Sequence, residues 1–249
     1  MTKSKYLVLI LAAVLVTLWS VNQARASYDY TILGDGGLLG GFSVSVDGTT
    51  ESGILVGGIH VTSASGVPGY NDFTTVCVDL NGRIYLGDTY AFNEVAFAGQ
   101  SGLNPSWGNP IDTPPSTAIA YQAINNAAYL LATFHPTDAT GWAALQLAVW
   151  KATYDTGPNG TIVWGSAARF VVNSDAGSGA WAEAQQWLNS LPRNTDYIGY
   201  LLEPEDTSAQ ELFIDVTPVP ETTTLITGAL LLLPLGATTL RFSRRHRAP

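Results

Sequence analysis

One cysteine, one methionine and three histidines among 249 residues leave several common chemistries without material. A solitary thiol cannot close a disulfide within the chain, and it excludes the cysteine-rich zinc sites. His60 and His135 stand far apart and the third histidine lies in the last residues, so no metal-ligand spacing occurs and no metal or other cofactor is expected. Basic residues are scarce as well. Between Ser27 and Pro220 only Arg83, Lys151, Arg169 and Arg193 face nineteen acidic residues, a net charge of −15 over 194 residues. That balance excludes nucleic-acid binding and docking on anionic lipid. No glycine-rich phosphate loop opens a helix, and neither DLNG nor DGTTE carries the spaced ligand series of an EF-hand. No fixed-period repeat and no long low-complexity segment is present.

The basic residues sit at the two ends. MTKSK followed by YLVLILAAVLVTLWSV and Ala24-Arg25-Ala26 has the charged start, short apolar core and small-x-small site of a secretory signal. Residues 1–26 are therefore expected to be removed behind Ala26, with Ala24 and Ala26 as the cleavage positions. At the other end, residues 225–240 form a sixteen-residue, mostly apolar stretch interrupted by Pro234, and Arg241, Arg244, Arg245 and Arg247 follow it. A transmembrane helix of marginal length is expected there, its arginines held on the cytoplasmic side.

Val219-Pro220-Glu221, the apolar stretch and the basic finish with Arg244 and Arg245 resemble the PEP-CTERM sorting signal of Gram-negative exopolysaccharide producers. Thr222 stands where that family usually has a second proline. The resemblance implies an exosortase-type enzyme as partner, transient anchoring in the inner membrane by residues 218–249, and delivery to the cell surface or extracellular matrix. An ordinary single-span anchor is the plainer alternative.

Residues 27–217 are left as the ectodomain. Phe42, Val44 and Val46 alternate with serines before Asp47-Gly48, and Ile54, Val56, Ile59 and Val61 continue a strand pattern around Gly57-Gly58. VCVDL and RIYL flank Asn81-Gly82, which predicts a tight hairpin with Cys77 on its first strand, on the face opposite Val76, Val78 and Leu80. The period then changes. Ser116 caps an expected helix with Ile119, Ala123, Ala127, Leu130 and Phe134 on one face, ended by Pro136. Further helices are expected over 141–155 and over GAWAEAQQWLNSL, and strands return with YIGYLL and ELFIDV. The expected class is α+β: a β-rich framework, barrel- or sandwich-like, with a helical insertion, plus the N-terminal signal helix and C-terminal transmembrane helix.

Two residues do not suit this layout. Cys77 is unpaired in a chain expected to be exported, and Gln146 falls between Trp142 and Trp150 on an apolar helical stripe. Burying an unpaired amide costs about 1 to 3 kcal/mol, so Gln146 needs a partner; a backbone carbonyl or a water is the ordinary solution. A thioester between Cys77 and Gln146, formed with loss of ammonia, removes both oddities at once, and a pocket walled by Trp142, Val149 and Trp150 would keep water from it.

Val76-Cys77-Val78 and Leu145-Gln146-Leu147-Ala148-Val149-Trp150 resemble the paired motifs of the thioester domains of bacterial surface adhesins, a likeness covering roughly residues 70 to 160. An aromatic often precedes that family's cysteine, where this chain has Val76. The resemblance implies covalent capture of an amine or hydroxyl on a surface or matrix partner, without turnover and hence without an enzyme. Two other readings stand beside it. Cys77 with His60 or His135 as base and Asp79 or Asp138 as orienter would be a hydrolase, although none of these sits in a catalytic motif. A non-reactive structural protein of an extracellular polysaccharide or biofilm matrix is the other.

Overall fold

The structure, a computed structural model, describes residues 27–218 apart from 35, 64–71, 79, 81, 98–116, 193–196 and 207. The expected signal segment, sorting tail, Ser116, Asp79 and Asn81 lie outside the described residues. Among those described, no helix is long and apolar enough to cross a membrane.

Six strands, β1 (Ser27–Leu33), β4 (Ile59–Ser63), β5 (Asp72–Thr75), β6 (Thr89–Phe97), β8 (Tyr197–Pro204) and β9 (Leu212–Pro218), form an antiparallel sheet in the order β5-β4-β1-β6-β8-β9. Past Thr75 the chain bends onto the far edge of the sheet. Val78 N–H donates to Glu211 O at 2.8 Å, and Cys77 bridges Leu212. The sheet thus nearly closes into a barrel, which removes most of its free edge. Tyr30, Ile32, Val61 and Phe92 fill it at zero exposure.

A second sheet packs beside the barrel, in the order β3-β2-β7 with β2 (Leu38–Val46), β3 (Thr49–Gly57) and β7 (Phe170–Ser174). The β2–β3 hairpin turns at Asp47-Gly48, where φ of 50° and 82° suits the two-residue turn that Val46 opposite Thr49 requires. Phe42 and Val44 are buried, while Ser43–Ser52 and Ser45–Thr50 hydroxyl pairs, at 3.0 and 2.8 Å, lie on the exposed face.

Three helices complete the fold: α1 (Thr117–Thr133), α2 (Ala139–Asp155) and α3 (Ala180–Asn189). Asp138 caps α2 by accepting from Gly141 N–H at 2.8 Å. Helix α2 lies between the small sheet, α1 and α3. The apolar stripe expected for it is in fact a whole circumference, since every residue from Ala143 to Asp155 is buried. The alanines at 143, 144, 148 and 152 permit this, because neighbours approach a helix closely only where its side chains are small. Phe134, just beyond α1, stacks on Trp187 of α3 with ring centroids 4.5 Å apart.

The hairpin expected around Asn81-Gly82 does not form. Residues 83–85 are outside any strand, and Arg83 N–H donates instead to Ser208 O at 2.8 Å. Both flanks of that turn pair with the chain leading into β9, so a long-range ladder prevails over the local turn signal. A Cβ on Gly82 would collide with the Ala209 carbonyl, so glycine is needed there for the close approach of two backbones. Both faces of this segment are covered: Thr75, Val76, Cys77 and Val78 are all buried, because one side of the segment meets the barrel and the other meets α2.

The deepest charges sit at the end of α2. Lys151 is 2% exposed, donates to Asp155 Oδ2 at 2.7 Å and to Phe170 O at 3.1 Å, and lies 4.9 Å from the Trp164 ring centre. Asp155 also accepts from the N–H groups of Arg169, at 2.6 Å, and Phe170, at 2.9 Å, which ties β7 to α2. Truncating one partner of such a pair strands the other charge. Lys151→Met is expected to cost about 3–5 kcal/mol, read from denaturant unfolding, whereas a loss under about 1 kcal/mol would show that Asp155 is solvated.

Arg169 grips Asp47 through two nitrogens, at 2.9 and 2.8 Å, and this hydrogen-bonded pair lowers the Asp47 pKa from its usual value near 3.8. A lowered folded-state pKa gives stability that is present above the unfolded value and lost as pH falls through the folded one. The stability difference between wild type and Asp47→Asn, which keeps a residue tolerant of positive φ, is expected to be constant at neutral pH. It should shrink as pH drops below about 4. A difference independent of pH in urea titrations would refute the assignment.

Candidate functional site

The geometry at Cys77 follows from strand parity. In its bridge to Leu212, the flanking residues Val76 and Val78 make the ladder bonds to Phe213 N–H and Glu211 O. Cys77's own N–H and C=O therefore point away from β9, and the ladder between β4 and β5 has already ended at Thr75. A helix lies there instead of a strand. Gln146 supplies what a strand would have supplied: its Oε1 accepts from Cys77 N–H at 2.7 Å and its Nε2 donates to Cys77 O at 2.7 Å. Two turns further along α2, the Tyr154 hydroxyl accepts from Leu80 N–H at 2.9 Å, a second clip on the same segment.

Cys77 and Gln146, 69 residues apart in sequence, thus lie against one another at 3% and 1% exposure. The amide partner expected for Gln146 is the main chain of Cys77 itself. The thiol has a further neighbour that the motifs did not indicate. Cys77 Sγ donates to Gln210 Oε1 at 3.0 Å, and Gln210 is also buried. Gln210 is brought there by the same ladder that replaces the expected hairpin. Asp206 sets up its approach: its carboxylate accepts from Ser208 N–H at 2.9 Å, and this contact with Ser208 lowers its pKa. The one trace of Gln210 in the sequence is the polar pair Gln210-Glu211 before a strand, and such pairs are common.

Cys77, Gln146 and Gln210 line a cavity of about 390 Å³ that opens to solvent. Trp150 belongs to its wall. Trp142 and Val149, expected as wall residues, do not: Trp142 packs against Gly37 and Gly58 at the other end of α2, and Val149 is fully buried in the core. The mouth carries Leu55, Tyr85 and Leu86, all exposed, beside the solvated pair Glu51–Arg83 at 3.4 Å. Polar carboxamides thus form the floor and apolar side chains the entrance.

Of the other residues weighed for a hydrolase arrangement, Asp79 lies outside the described residues and the rest are placed as follows. His60 of β4 pairs with Asp72 of β5, Asp138 caps α2, and His135 is exposed just after α1. Among the described residues, no group of three His, Cys, Asp or Glu side chains is placed to hold a metal ion.

Among solved structures, this chain is similar to the N-terminal thioester domain of a surface protein from Clostridium perfringens, at 13% identity and a TM-score of 0.40, over 78% of this chain and 100% of that one. No protein-family model and no curated protein matches. A likeness that distant assigns no residue a role, and the functional reading rests on the contacts of Cys77.

Losing the Gln146 carboxamide removes its hydrogen bonds to two buried main-chain groups, at roughly 1–3 kcal/mol each. Gln146→Leu, which nearly conserves volume, is therefore expected to lower unfolding free energy by about 2 kcal/mol or more in urea. Stability equal to wild type would show that the clasp contributes nothing to the fold.

Proposed function

We propose that this chain is an exported surface or matrix protein whose ectodomain couples covalently to a partner through a thioester between Cys77 and Gln146. The observation that carries this reading is the double clasp, which presses a carboxamide onto the one cysteine of the chain inside a buried, solvent-reachable cavity. In the step proposed, Cys77 Sγ attacks Gln146 Cδ, an S–C bond forms and the C–N bond breaks. Nε2 leaves as ammonia and carries away the thiol proton. Cys77 N–H already donates to Oε1, the atom on which negative charge develops, so one oxyanion donor is in place before attack.

An amine or hydroxyl entering past Leu55, Tyr85 and Leu86 then attacks the same carbon. The C–S bond breaks, the thiol recovers a proton, and the partner is held as an amide or ester. Since the acyl group is used once, the chain is a single-use coupling reagent and not an enzyme. Its ends complete the proposal: removal of residues 1–26, temporary anchoring by 225–240, and exosortase-type processing near Val219-Pro220-Glu221, which together deliver the domain to the cell surface or matrix.

A second reading has its own support. Both polar atoms of Gln146 are satisfied by main chain, an arrangement that stands without any bond-making. On that reading the protein is a non-reactive component of an extracellular polysaccharide matrix. Intact mass separates the two. Coupling predicts a chain lighter by one ammonia, converted by methylamine to a methylamide at Gln146, with neither change in Cys77→Ala. A full-mass chain whose thiol titrates completely under native conditions would eliminate the coupling reading.

A further inference from the structure

Attack of Cys77 on Gln146 engages two side chains, yet a third polar side chain touches the sulfur. Gln210 is 9% exposed, and its Oε1 accepts from Sγ at 3.0 Å on the floor of the cavity. A carboxamide offers an acceptor and a donor one rotation apart. Toward a thiol its oxygen accepts. Toward a thiolate its NH₂ donates, and a donor favours the ionised form. A hydrocarbon side chain does neither, while a carboxylate opposes ionisation by charge.

The backbone keeps this carboxamide against the sulfur. Glu211 O, the next residue, is bonded to Val78 N–H at 2.8 Å, and Ser208 O to Arg83 N–H at 2.8 Å, so Gln210 lies between two rungs that join its segment to that of Cys77. Gly82 lies flat against the backbone of Ala209 and Gln210, where a Cβ would not fit. The backbone of Gln210 therefore stays beside Cys77 unless the seam of the barrel opens.

We propose that Gln210 is the positioning residue of this site: it fixes the Cys77 sulfur on the cavity floor and serves both its protonated and its ionised form as the thiol proton passes to the departing Nε2 of Gln146. The consequence for attack rests on the Cys77–Gln146 reading. The hold on the sulfur does not.

The test uses the full chain after methylamine treatment, which leaves a free thiol whether or not a thioester had formed. Iodoacetamide alkylation of Cys77 is followed from about pH 6 to about pH 10 in wild type, Gln210→Leu and Gln210→Glu. The other charged groups around the site, Glu51 and Arg83 at the mouth, Glu211 and the Lys151–Asp155 pair, are the same in all three. The midpoint is expected to rise in both variants, by one unit or more in Gln210→Glu, which is at least about tenfold slower alkylation near neutral pH. Should Gln210→Leu not fold, Gln210→Asn, which withdraws the carboxamide by one methylene, is expected to show a smaller rise. A merely structural role would lower melting temperatures and leave the midpoint in place, and coincident midpoints overturn the proposal. In untreated chains, Gln210→Leu is expected to reduce the fraction that has lost ammonia about tenfold. A wild type that has lost none refutes the Cys77–Gln146 reading, while the alkylation midpoint still decides the role of Gln210.

Discussion

A carboxamide standing in for a strand is the contact on which the rest of this structure depends. The segment that follows β5 seals the barrel against β9 with one edge of its backbone, and on the other edge the N–H and C=O of Cys77 face α2 inside the protein. Buried main-chain groups are nearly always paired. Gln146 pairs them, and this one side chain fixes the depth of α2 against the barrel, the position of Cys77 and the floor of the cavity. The same two bonds hold the Gln146 carboxamide against the main chain of the residue that carries the sulfur, and the proposed chemistry starts from that placement.

Helix α2 can carry such a residue because it is held at its far end by charge. Asp155 receives Lys151 and two backbone N–H groups from the start of β7, and Arg169 reaches on from there to Asp47 in the β2–β3 turn. The small sheet is thereby tied to the helix and the helix to the barrel. Buried charge of this kind adds little net stability compared with apolar packing, but it tolerates few alternative arrangements. A site that needs atoms placed to within a fraction of an ångström benefits from a scaffold with one register.

Local signals were legible where they acted alone. Asp47-Gly48 announced its turn, apolar residues at helical spacing ended by Pro136 announced α1, and the oddity of a buried glutamine pointed to a polar partner, which is the main chain of Cys77. Asn81-Gly82 misled, because the main chain of Val76, Val78 and Arg83 finds partners more than a hundred positions away, beyond the reach of any local pattern. Gln210 stayed hidden for the same reason, since only the completed seam brings it to the sulfur. Trp142 and Trp150 have the right helical spacing to wall a pocket together, but the glycines at 37 and 58 draw Trp142 against the backbone at the other end of the helix.

Crystallographic density at the floor of the cavity tests the central claim most directly. The account predicts continuous density from Cys77 Sγ to Gln146 Cδ, with no nitrogen left on that carbon, Oε1 still receiving Cys77 N–H, and the Gln210 carboxamide in contact with the sulfur. Two separate side chains, with an intact Gln146 carboxamide and a free thiol in freshly prepared protein, would contradict it.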